Sequence, residues 1–187
     1  NFGTHESLVT NQAVEGAARH DLGNPLFLRH PLEAGVRVVA AHCASLGESP
    51  DLEANPDPAK APAVRNLDLF ARLMGEEAPD ILCLQECKCL AEQIPVDQFK
   101  ALGYKYRVAR GQKSYNGVAI LSKLPIVDAG GRDYAALGHA RHVAGRLENG
   151  VTIHNCYVPA GGDIPDREVN AKFGQKLDYL TEMRDHF

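Results

Sequence analysis

At 187 residues, 44% of them hydrophobic and 24% charged, the chain has the size and balance of one packed, water-soluble domain. Its formal net charge of -4 excludes capture of nucleic acid by bulk charge, while leaving room for a basic cleft within an acidic whole. Five irregularly spaced cysteines fit reduced thiols in a cytoplasmic protein rather than a disulfide framework or a zinc site, and no run reaches the ~18 apolar residues of a membrane helix.

Residues 1–35 mix His, Gly, Asn and Pro without a period, and are expected to be a flexible extension, or sequence foreign to the domain that follows. Val36 to Ala41 is a short apolar run and reads as the first strand. Residues 47–62, with four prolines and several acids, read as a surface insertion. A helix is expected from Ala63, with Val64, Leu67, Ala71 and Met74 on one face and fraying at Gly75. Ile81 to Gln85 then reads as a buried strand, delivering Glu86 and Lys88 to the rim of a sheet.

Farther along, Phe99 and Leu102 close a short helix before Gly103, and Tyr104, Tyr106 and Val108 alternate as a strand. Val118 to Leu121 gives another strand, ended by Ser122-Lys123-Leu124-Pro125. His142 to Leu147 and Val151 to Val158 flank Asn149-Gly150, the signature of a hairpin with a primed turn. A last helix is expected over roughly 169–184, with Phe173, Leu177, Leu180 and Met183 as its apolar stripe. A hairpin among strands and helices predicts mixed rather than purely parallel sheets.

Three segments carry a chemical message together. They are Leu82-Cys83-Leu84-Gln85-Glu86-Cys87-Lys88, Gln112-Lys113-Ser114-Tyr115-Asn116-Gly117-Val118-Ala119-Ile120, and Lys172-Phe173-Gly174-Gln175-Lys176-Leu177-Asp178-Tyr179-Leu180. With Asn155-Cys156-Tyr157-Val158-Pro159 they resemble the exonuclease III family of DNA-repair nucleases, within the endonuclease/exonuclease/phosphatase superfamily, from about Arg37 to Phe187. The resemblance implies an α/β fold, a four-layer α/β sandwich of two mixed β-sheets packed face to face with helices outside, present here as its N-terminal part. It implies a Mg²⁺-dependent hydrolase (Mn²⁺ in its place) acting on double-stranded DNA at abasic sites or 3′ ends, in base excision repair.

Residue by residue, Glu86 matches the family's metal-binding glutamate and Tyr157 the tyrosine that points its phenol at the scissile phosphate. Lys88, Gln112, Lys113, Tyr115, Asn116, Gly117 and Arg141 match positions expected at the DNA, where such contacts position a duplex without reading bases. Each has a plainer reading: a solvated carboxylate, an amphipathic core tyrosine, a polar hairpin loop.

The sequence also departs from the family. His42 and Ala44 stand where an Asn-x-Asn pair is expected, and Ala160-Gly161 replaces Asn-Gly after the proline. The later Gly-Asp-Phe-Asn motif does not occur in the sequence, and the family's terminal Asp-His pair has no matched position, Asp185-His186 falling directly after the expected last helix. Little nuclease activity is therefore expected of this polypeptide alone. Without the family's C-terminal strands to cover them, Val118, Ile120 and Ile153 are expected to face water at about 25 cal/mol per Å², so that the polypeptide aggregates or dimerises. Two other readings stand beside the nuclease: another phosphoesterase or phosphatase of the same superfamily, and a non-catalytic DNA-binding or structural relic.

Overall fold

The computed structural model describes residues 6–10, 29–31, 36–42 and 74–187. Among the described residues nine strands form two sheets. They are β1 (Glu6–Thr10), β2 (Arg29–Pro31), β3 (Arg37–His42), β4 (Ile81–Gln85), β5 (Tyr106–Arg110), β6 (Val118–Ser122), β7 (Ile126–Gly130), β8 (His142–Leu147) and β9 (Thr152–Cys156). The five-stranded sheet has the order β2-β3-β4-β6-β5, with β3 parallel to β4 and the other pairs antiparallel. The four-stranded sheet has the order β1-β9-β8-β7, with β1 parallel to β9. Both sheets are mixed, as the central hairpin predicts.

The packing follows the pleat. On β4, Ile81 and Cys83 face the second sheet, whereas Leu82 and Leu84 face the opposite way. The inward set joins Val38, Ala40, Val108, Val118 and Ile120 with Ile126, Val143, Leu147 and Ile153 of the other sheet in one core. The outward set packs Leu82, Leu84 and Leu121 against Phe99 of the short helix α1 (Val96–Ala101), with Ile94 and Tyr104 beside it. On the far side, α2 (Ala171–His186) lays Tyr179 against Tyr134, Cys156 and Val158. Helix, sheet, sheet and helix make the four layers of the expected sandwich.

Several expectations need correction. Val118, Ile120 and Ile153 are no more than 1% exposed, because β7, β8 and β9 supply the facing sheet from within this chain. Glu6–Thr10 and Arg29–Pro31, inside the expected flexible extension, are strands paired to β9 and β3. The insertion at 47–62 and the helix start at Ala63 lie outside the described residues. Gly75 does not end the preceding helix, which runs to Glu77 and stops where Ala78 takes a φ of +42°. The β8–β9 turn is not primed. Neither Glu148 nor Asn149 has a positive φ; Gly150 does, at +89°, and Gly150 N–H donates to Leu147 O at 3.0 Å. That is a type I turn followed by a left-handed glycine, the usual three-residue hairpin loop. Tyr104 is buried ahead of β5 rather than alternating within it, and its hydroxyl donates to Pro79 O at 2.8 Å. On α2 the fully buried anchors are Gly174 and Tyr179; the expected stripe is only half-buried beside them.

Candidate active site

At the C-terminal rim of β4 the chain leaves extended geometry abruptly. Glu86 and Lys88 both adopt left-handed backbone, with φ of +60° and +53°, a conformation costing roughly 1–2 kcal/mol per non-glycine residue. Backbone bonds offset that strain: Cys87 N–H donates to Gly117 O at 3.0 Å and Lys88 N–H to Asn116 O at 2.9 Å. The turn swings the Glu86 carboxylate outward, where Lys88 Nζ meets Glu86 Oε1 at 3.2 Å.

From the other sheet, β9 delivers Tyr157 to the same place. The Tyr157 phenol lies within electrostatic reach of both Glu86 and Arg141. Burial, and then the negative charge of Glu86, push the phenol above its usual range, while Arg141 pulls it down. At neutral pH Tyr157 is thus a neutral hydroxyl donor beside a carboxylate. The Arg141 guanidinium lies 4.6 Å from the Tyr157 ring centroid, a cation–π contact, and its Nη1 donates to Tyr157 O at 3.1 Å. Burial lowers its affinity for a proton, which Tyr157, Tyr179 and Glu86 counter by favouring the charged form. Arg141 is further fixed through its backbone, since Tyr157 N–H and Tyr179 O–H both donate to Arg141 O, at 2.7 and 3.3 Å.

The polar loop of residues 112–117 borders this rim. Ser114 N–H donates to Lys88 O at 3.2 Å and Gly117 N–H to Ala140 O at 2.9 Å. Gly117 carries φ +84°, and a Cβ there would meet Lys88 N at 3.4 Å. Asn116 and Gln112 are turned inward: Asn116 is 7% exposed, and Gln112 Oε1 accepts from both Asn116 Nδ2 and Ala140 N–H at 2.9 Å. Lys113 and Tyr115 point to solvent, Tyr115 being 70% exposed. Glu86, Lys88, Arg141 and Tyr157 therefore converge, with Lys113 and Tyr115 on the bordering loop and Gln112, Asn116 and Gly117 shaping it. His42 ends β3 opposite Gln85 in register, which brings its backbone to the same rim.

Sequence reading missed two residues beneath this group, Gln85 and Asn155, both buried and bonded to each other at 2.9 Å. The available signal was an amide at the inward position of each strand, where alternation calls for an apolar side chain. Among the described residues no set of three or more His, Cys, Asp or Glu could hold a metal. Glu86 alone fits a hard cation that keeps most of its waters, since Mg²⁺ commonly takes one or two carboxylates and substrate phosphates.

Two mixed sheets lie face to face under flanking helices, with a carboxylate, a phenol and a guanidinium on one rim, and define an α/β sandwich. The family model described as the Endonuclease/Exonuclease/phosphatase family matches residues 46–180, and the chain belongs to that family. Its fold is similar to an AP endonuclease from Archaeoglobus fulgidus, at 31% identity and TM-score 0.53 over 63% of this chain and 44% of that one. It is similar also to the 3′ phosphatase NExo from Neisseria bound to product DNA hairpin, at 32% identity and TM-score 0.52 over 65% of this chain and 47% of that one. Recombination repair protein 1 of Drosophila melanogaster is 34% identical over 95 residues, 49% of this chain and 14% of that protein. The chain spans less than half the length of each of these relatives.

Proposed function

We propose that this chain is the N-terminal part of an exodeoxyribonuclease III-like phosphodiester hydrolase acting on duplex DNA at abasic sites and 3′ ends. The observation carrying this reading is the convergence of Glu86, Tyr157 and Arg141, from different elements, on one rim. A phosphodiester brings negative charge and needs it balanced as the leaving oxygen departs. Arg141 supplies a fixed positive charge, and Tyr157 a hydroxyl donor, to non-bridging phosphate oxygens. Lys88, Lys113 and Tyr115 hold the flanking backbone, while Gln112, Asn116 and Gly117 set the shape of the loop. Glu86 would hold Mg²⁺ or Mn²⁺, which when bound supplies Lewis-acid polarisation of the phosphoryl group.

The similarity to a 3′ phosphatase favours a second reading, removal of a 3′-terminal phosphate at the same site. The test is cleavage of an abasic-site duplex and of a 3′-phosphorylated duplex by the full-length protein with Mg²⁺. Abasic incision is expected, falling about 100-fold or more in Glu86→Gln and about 10-fold or more in Tyr157→Phe. Removal of 3′ phosphate alone would favour the phosphatase, and DNA binding without cleavage the relic. The 187-residue chain by itself is expected to cleave little, and efficient Glu86-dependent cleavage by it would contradict that.

A further inference from the structure

The inward faces of β4 and β9 are apolar until their last inward positions. Along β4, Ile81 and Cys83 are followed by Gln85; along β9, Ile153 is followed by Asn155. These two amides meet between the sheets, 2% and 0% exposed. Gln85 Nε2 donates to Asn155 Oδ1 at 2.9 Å and to Cys156 O at 3.3 Å. Asn155 Nδ2 donates to Leu84 O and to Ala119 O, both at 2.9 Å. Asn155 of one sheet thus grips two adjacent strands of the other, and Gln85 returns the grip to the backbone just before Tyr157. The orientation of the Asn155 amide follows from these partners, because turning it over would set donors against Gln85 Nε2 and oxygen against two carbonyls.

An apolar pair would fill this space, yet it would leave the two strand ends free to slide. Directional bonds between buried amides fix register as well as distance. Glu86 follows Gln85 directly, and Tyr157 lies two residues beyond Asn155.

We propose that Gln85 and Asn155 are positioning residues, a cross-sheet amide lock that sets the separation of the Glu86 carboxylate and the Tyr157 hydroxyl. The inference rests on reading that pair as the reactive rim. Its test is independent of cleavage. In protein labelled at tyrosine ¹³Cζ, the Tyr157 resonance, assigned with Tyr157→Phe, is followed at pH 7 with and without Glu86→Gln. The displacement caused by Glu86→Gln measures how closely the two groups are held.

Expected is a displacement reduced roughly twofold or more in Asn155→Leu and in Gln85→Met, and unchanged in Ile153→Val, which loosens the same core without touching the amides. The full displacement in both amide variants would overturn the lock, as would an equal loss in Ile153→Val. Should Asn155→Leu fail to fold, Gln85→Met decides alone, since it leaves both Asn155 Nδ2 bonds to Leu84 O and Ala119 O in place. Loss of the nuclease reading would leave this coupling in place, whereas full displacement beside intact Mg²⁺-dependent cleavage would sink the lock alone.

Discussion

His142 makes the sign of one pH effect plain. It is 4% exposed on the outer face of β8, where its Nδ1 accepts Arg132 N–H at 2.9 Å. The ring proton therefore sits on Nε2, 3.0 Å from His154 Nδ1. Burial, then the nearby His154 and His186, and then Arg132 and Arg110, push His142 down to about 3 from an ordinary 6.5. Between those values the unfolded chain binds the proton and the folded one does not. Stability is thus complete above about pH 6.5 and is lost as pH falls toward about 3, by about 1.4 kcal/mol per unit. Urea unfolding at pH 5 and pH 7 should show this loss, and His142→Leu should flatten the slope by about one proton; an unchanged slope would contradict the neutral buried ring.

Two glycines, one in the loop that borders the rim and one just before it, have different duties. At Gly117 the constraint is conformational, φ +84° with contacts no nearer than 3.4 Å, so Gly117→Ala should cost about 1–2 kcal/mol. At Gly111 the constraint is space. A Cβ there would lie 2.5 Å from Leu90 C and 2.7 Å from Leu90 Cα, which is backbone that cannot rotate away. Gly111→Ala should therefore cost more, about 3 kcal/mol. Denaturant unfolding of both variants checks the order, and a smaller loss at Gly111 would contradict the close approach of the segments around residues 90 and 111. A second tie between the sheets, the paired bonds of Arg110 to Asp128 at 2.9 and 3.1 Å, holds β5 to β7. It lowers the Asp128 carboxyl, so its contribution is present above the usual carboxylate range and fades in acid.

Across the whole molecule, legibility followed burial pattern. β4 and β6 were readable because both faces are covered, giving unbroken apolar runs, and the β8–β9 hairpin because Asn149-Gly150 punctuates it. β7 was not read as a strand, since only Ile126 of its five residues is buried and it lies at the sheet edge. The turn type was misread because Asn-Gly suits more than one hairpin loop, and which residue takes the positive φ is decided by register. Glu86 and Tyr157 were legible through their motifs and strand ends. Gln85 and Asn155 were not, because a buried amide shows its purpose only when its partner on another sheet is known.

Under the proposed function, the Glu86–Tyr157 rim holds a divalent cation beside a DNA phosphate. Titration of Mn²⁺ into ¹⁵N-labelled protein, read as paramagnetic broadening, tests it most directly. Broadening should begin at the amides of Cys87, Lys88 and Tyr157 and vanish in Glu86→Gln. Broadening centred instead on His142, His154 and His186, or unmoved by Glu86→Gln, would contradict it.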